Sequence, residues 1–231
     1  MISPLEILED SDAFTHDIFD IGDHAEFIIK ADIARAVIDL NRSKNQLPPK
    51  YPDGVIKSHT CYDQQIYKHG KSPNKDTIEK LIHSYYLPYH QQVKHVLKTS
   101  PHIILALDCH SMAAVGPNNS KDKGKKRPLM CLGNVWGKTC SDFMIKQISE
   151  SFCRSFGFKS TDIQINKPFS GGYITQTYGI GSIPWIQVEI SRDLYLNPKY
   201  FDPQSLQINF NRLNELNQMF YMGLMLYFHN T

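Results

Sequence analysis

Short apolar runs alternate with longer amphipathic stretches along most of this chain, and that alternation restricts the fold more than any other feature. EFIIKADIA and RAVIDL (residues 26–40), then residues 102–108, 161–166 and 185–190, read as strands. Apolar residues at helical spacing recur at Ile78, Leu81, Ile82, Tyr85, Val93, Val96 and Leu97, and again at Phe143, Met144, Ile148 and Phe152. A last set, Leu206, Leu213, Leu216, Phe220 and Leu224, follows Asp202-Pro203, which reads as an N-cap and first helical position. Asp76-x-x-Glu79 reads as a capping box, and Pro88 is expected to kink the helix that it starts. Strands interleaved with helices bury a sheet from both sides, so the expected class is α/β, a mixed sheet flanked by helices on both faces. With 231 residues, 41% apolar and 11% aromatic, a single domain with a sizeable core is expected.

Composition narrows the partners. The formal charge of +2, from 25 basic and 23 acidic residues, gives no long-range field that favours nucleic acid over a small ligand. Lys121 to Arg127 is the one dense basic stretch; it reads as a solvated loop or as a rim that attracts anions. Five cysteines, an odd number without a CxxC pair, fit a reducing compartment. The N-terminus lacks the basic and apolar regions of a signal peptide, and no apolar run approaches the ~18 residues of a membrane span. The expectation is a cytoplasmic protein that takes a small molecule, without nucleic acid or membrane.

Three strand candidates end in chemistry-bearing residues, and in open α/β sheets ligands bind beyond the carboxyl ends of strands. AVIDLNR delivers Asp39, Asn41 and Arg42, IILALDCHS delivers Asp108 and His110, and WIQVEISR delivers Gln187, Glu189 and Arg192. An imidazole, carboxylates and guanidinium groups can supply a metal ligand, a general base and an anion clamp, which together suit metal-assisted hydrolysis. Each also has a plain structural role: His110 as a satisfied structural histidine, Asp39 or Asp108 as a turn cap, Arg42 and Arg192 as surface ion pairs. The irregular stretch from 43 to 75 directly follows Arg42 and is expected to cover part of the site.

The segments SDAFTHDIF, ARAVIDLNR, YYLPYHQQV, LALDCHSM, NKPFSGGYITQTYG and IQVEISRDLY occur in the order and spacing of the N-formylglutamate amidohydrolase family, which the chain resembles from about residue 9 to residue 197. The family is zinc-dependent with a carboxypeptidase-like α/β fold. The resemblance implies hydrolysis of the amide of N-formyl-L-glutamate or a related N-acyl amino acid. It implies His110 and Asp12 as Zn²⁺ ligands, with Asp108 or a backbone carbonyl orienting the imidazole. Glu189 resembles the general base, and Arg35 the group that polarises the carbonyl. Asn41 and Arg42 resemble a pair that grips a substrate carboxylate, a task that suits a guanidinium fork. Lys167, Gly171, Gly172 and Arg192 are expected to shape the rest of the substrate site; the glycines are equally explained by a tight turn.

Two departures stand out. The family's upstream strand, with a proline-histidine-small-glycine motif that supplies a zinc ligand, is expected to be absent. That leaves at most two protein ligands and implies poor zinc affinity. Thr177 stands where the family often has a histidine. A second reading is therefore an inactive homologue that binds an acidic amino acid or a protein partner.

Overall fold

The structure, a computed structural model, describes residues 2–229. The chain divides into two compact units: one of residues up to 13, 29–103 and 117–124, the other of residues 14–28, 104–116 and from 125 onward. Helices and strands are numbered in chain order across both. Among the described residues no helix is long and apolar enough to cross a membrane.

The first unit is helical and irregular. Helix α1 (Pro4–Glu9) starts on a capping box in which Ser3 and Glu6 satisfy each other's backbone donors. Residues 26–40, expected as strands, form none. Ala36, Ile38 and Leu40 are buried, and so is Asp39 between them. Yet their amides bond within a turn (Val37 N and Ile38 N to Ala34 O) or to a lone carbonyl (Asp39 N to Val55 O). An apolar alternation makes a strand only where a neighbouring backbone completes the ladder. Helix α3 (Lys75–Leu81) starts one residue before the expected box, because Asn74 rather than Asp76 caps it, accepting from Thr77 N. A π-helical turn (Ile82–Tyr86) leads into α4 (Leu87–Thr99). This turn answers the expectation of a kink at Pro88: widening the helix just before proline accommodates the ring and its missing donor.

The second unit holds the sheet. Strands β1 (Ala106–Met112), β2 (Met130–Gly133), β3 (Ile163–Ile165) and β4 (Trp185–Ser191) pair in the order β1-β4-β2-β3. The β1/β4 and β2/β3 pairs are parallel and β4/β2 is antiparallel, so the sheet is mixed. Strand β2 had no counterpart among the sequence expectations; four residues are too few to show a period. Alternate residues of β4, Ile186, Val188 and Ile190, join Met130 and Leu132 in one apolar core. Onto that core pack α2 (Thr15–Phe19, through Ile18), α5 (Asp142–Phe156) and α7 (Phe210–His229). Ile145, Ile148, Phe152 and Phe156 supply the buried stripe of α5, and Leu213, Leu216, Phe220, Leu224 and Tyr227 that of α7. Phe152 stacks on Phe220 with ring centroids 5.5 Å apart. The two helices meet so closely that a Cβ on Gly223 would lie 2.4 Å from the Phe152 ring. Each such fully buried side chain contributes about 1.5–3 kcal/mol.

The last helix starts later than expected. Asp202 accepts from Gln204 N and from Ser205 Oγ, turning the chain between the two-residue strands β5 (Phe201–Asp202) and β6 (Gln207–Ile208). Asn209 then accepts from Arg212 N in the first turn of α7. An aspartate before proline makes the same local bond in a turn as at a helix start, so sequence alone does not separate them.

Candidate functional site

In the second unit the candidate residues lie along a strand face, not at a strand end. The strand begins at Ala106 rather than 102, so Asp108 and His110 stand in its middle. Leu107 and Cys109 pack against the apolar core, which turns Asp108 and His110 to the opposite face. Strand β4 does the same: Ile186, Val188 and Ile190 face the core, while Gln187 and Glu189 share the other face. The parallel register sets Asp108 beside Gln187 and His110 beside Glu189. On the far side of β4, Cys131 is opposite Glu189 and Gly133 opposite Gln187. A short helix, α6 (Tyr173–Tyr178), packs on this polar face through Thr175. The sheet of this unit therefore carries helices on both faces, as expected.

Hydrogen bonds tie the row together. His110 Nε2 lies 2.8 Å from Asp108 Oδ1, and Thr175 Oγ1 donates to Asp108 Oδ2 at 2.7 Å. Gln187 Nε2 donates to Glu189 Oε1, while Gly172 N donates to Gln187 Oε1. Asp108, Gln187 and Glu189 are all buried. Buried polar groups persist only when they are bonded, and this row is. The thiols beside it are silent as nucleophiles: burial, with Asp108 and Glu189 adding to it, pushes Cys109 far up, and burial holds Cys131 up at about 12.

The glycines serve the protein's own backbone. Gly171 has φ 140, and a Cβ there would lie 2.5 Å from Val135 Cγ2; Gly172 gives its N–H to Gln187. Lys167 is exposed in the same loop after β3, and Arg192 is half-buried at the first residue past β4.

The remaining candidates belong to the first unit, where an ion network holds them. Arg35 donates through Nε and Nη2 to Asp39 Oδ2 at 3.0 and 2.8 Å. Asp39 Oδ1 accepts from Asn41 N, and Arg42 Nη1 lies 3.8 Å from Asp39 Oδ2. Arg42 donates through Nη2 to Asp53 Oδ2 at 2.8 Å, through Nε to Asp53 O and through Nη1 to Asn41 O. Lys57, fully buried, holds Asp53 Oδ1 at 3.0 Å and Asp10 Oδ2 at 2.7 Å. Burial alone would raise the Asp39 acid, but Arg35 and then Arg42 outweigh it and hold it below the ordinary carboxylate range. Asp12 acts on Arg35 as one of four carboxylates that, against the effect of burial, keep that guanidinium charged. From the 43–75 stretch, Asp53 pairs with Arg42 within this unit.

Two side chains of the YYLPYHQQV segment hold the backbone of this network. Tyr86 Oη donates to Arg42 O at 3.0 Å, and His90 Nε2 is bonded to Leu40 O at 3.0 Å. Burial lowers the His90 pKa, so the ring is neutral and donates from Nε2. Sequence reasoning quoted that segment without assigning either role, and it missed Thr175, Asp10, Asp53 and Lys57 altogether. A lysine's burial leaves no mark on the sequence around it.

His110 bonded to Asp108 has the arrangement of many zinc-ligating histidines, whose second ring nitrogen is held by a carboxylate. The rest of a zinc site is not assembled: among the described residues no three His, Cys, Asp or Glu side chains are grouped to hold a metal ion. Three protein ligands are the rule at a catalytic zinc. Asp12, the other expected ligand, belongs to the first unit and His110 to the second.

A mixed sheet with an apolar helical side and a row of Asp108, His110, Gln187 and Glu189 on the other defines a mixed α/β protein with a polar, acid- and imidazole-bearing sheet face. The sequence model of the N-formylglutamate amidohydrolase family matches residues 1–196, and the chain belongs to that family. Its structure is similar to that of N-formylglutamate amidohydrolase from Ralstonia eutropha JMP134, with a TM-score of 0.75 and 18% identity over 99% of this chain and 86% of that one. It is also similar to a gene product of Agrobacterium tumefaciens, with a TM-score of 0.51 and 15% identity over 84% and 68% of the two chains. At these identities the likeness is one of fold. No curated protein matches the sequence.

Proposed function

We propose that the protein hydrolyses the amide bond of N-formyl-L-glutamate or a closely related N-acyl amino acid, releasing the free amino acid and formate or another acid. One observation carries the reading: in a chain of this family, His110 and Glu189 are direct neighbours in the β1/β4 register, with Asp108 holding the imidazole. Glu189 takes a proton from the attacking water and delivers it to the leaving nitrogen. Gln187 donates to Glu189 Oε1 and orients the carboxylate for that task. Arg35 polarises the substrate carbonyl, and Asn41 with Arg42 receives the substrate carboxylate. Lys167, Gly171, Gly172 and Arg192 belong to the proposed substrate surroundings, the glycines by shaping backbone.

Among the described residues no three ligands are grouped for zinc, so no step is assigned to Zn²⁺. His110 and Asp12 remain the proposed ligands. The test is formate release from N-formyl-L-glutamate, measured with and without added Zn²⁺, together with bound zinc per chain. Release that depends on Glu189 supports the reading. No release under either condition, with retained binding of a dicarboxylate, would replace it with a binding protein for acidic amino acids.

A further inference from the structure

Asp53 sits on the guanidinium that the proposed function gives to a substrate carboxylate. Its Oδ2 is 2.8 Å from Arg42 Nη2, its Oδ1 3.0 Å from Lys57 Nζ, and its own carbonyl accepts from Arg42 Nε at 2.9 Å. A carboxylate bridging a guanidinium fork and a buried ammonium makes the contacts that a bound anionic ligand would make with the same pair. We propose that Asp53 is an internal competitor for this anion site: a ligand carboxylate replaces it on Arg42 and Lys57 while the Asp53 side chain turns out to solvent. The inference rests on the proposed function only in taking Arg42 as an anion site.

The other carboxylates of the network are not built to leave. Asp10 and Asp39 are each 1% exposed. Asp10 holds Lys57 and Cys61 N, and Asp39 holds Arg35 and Asn41 N. Removing either would strand a partner without water to replace it. The Asp53 side chain is 47% exposed, so hydration is at hand when its pairs open. Lys57 keeps Asp10 during the exchange, and Arg42 keeps its bonds to Asn41 O and Asp53 O.

The backbone beneath Asp53 stays in place. Gly54 packs so tightly that a Cβ would lie 1.9 Å from Gln46 O, and Val55 N donates to that same carbonyl. Exchange therefore needs a rotation of one side chain rather than movement of the loop. One carboxylate replaces another, so the charge of the network is unchanged. Burial would raise the Asp53 acid, but Lys57, Arg42 and Arg35 together hold it below the usual range, so it competes in its ionised form.

Glutarate, a dicarboxylate with no amide to cleave, serves as the probe. Its binding is measured by calorimetry on the full chain and on Asp53→Asn and Asp53→Ser, with circular dichroism to confirm folding. A half-exposed pair predicts about two- to fivefold tighter glutarate binding in both variants, a gain lost when Arg42→Met is added. Unchanged or weaker binding, or failure of both variants to fold, overturns the proposal and makes Asp53 a structural ion-pair partner. Tighter glutarate binding without formate release from any variant would sink the proposed function and leave the competitor role standing. Formate release with a raised KM in Asp53→Asn would do the reverse.

Discussion

In the second unit Asp108, His110, Gln187 and Glu189 are placed by strand pairing, whereas in the first Arg35, Asp39, Arg42, Asp53 and Lys57 are placed by one another. Backbone ladders fix the row whatever its side chains do. The ion network rests on one isolated bridge, Asp53 with Lys57, and single backbone bonds, so its charges also support one another. The lesson is that equally polar clusters in one chain should answer substitution differently: the row loses chemistry, while the buried carboxylates of the network, Asp10 and Asp39, lose structure.

The largest effect tests the first half of that comparison. Glu189→Gln should keep the fold, because the ladder holds β4 and the amide oxygen can still accept from Gln187. Formate release should fall by roughly 10²–10⁴-fold, the usual worth of a general base. A chain that unfolds instead would break the contrast. Asp39→Asn tests the other half, since it leaves Arg35 without its buried charge partner; chemical denaturation should record a loss of about 3 kcal/mol.

The same pair makes a pH prediction. Asp39 is held below its unfolded value, so its stabilisation is fully present above that value and is lost as pH falls through the folded one. The Tm of the native chain should therefore decline below about pH 4, and the decline should be shallower in Asp39→Asn. Gly223→Ala probes the apolar side of the sheet, where a methyl has to displace the Phe152 ring; about 1–3 kcal/mol should be lost with KM unchanged. Tyr86→Phe is the smallest. Loss of its bond to Arg42 O should cost about 1 kcal/mol and raise KM for an acidic substrate more than it lowers kcat. Equal changes in both constants would mean that Tyr86 does not act through Arg42.

Legibility in the sequence followed the same division. The apolar half of β4, most of the α7 stripe and, in α5, Ile148 and Phe152 are readable, since burial there imposes a period, whereas Phe143 turns out to be 71% exposed and Ile145 takes the buried position. The row on the polar face was found but read as a strand's end. A strand with one face on a core and one on polar groups looks, after its first polar residue, like a strand that has stopped. In the first unit residues 36, 38 and 40 show the reverse error, buried apolar positions without a ladder. Asn41 and Arg42 are legible as the polar end of AVIDLNR, and Arg35 through resemblance. Asp53 and Lys57 are not, because ion pairs between segments leave no local period.

The parallel pairing of β1 with β4 also has a consequence in time. His110 and its neighbour Glu189 are about eighty residues apart, so at roughly 5–20 residues per second a ribosome makes the second several seconds after the first. Until then β1 has no partner on either side, and it remains the outer strand of the finished sheet. Asp108 and His110, set at alternate positions along it, make that waiting strand a poor template for other chains. The groups proposed for chemistry in the folded protein would thus also guard the nascent one against association.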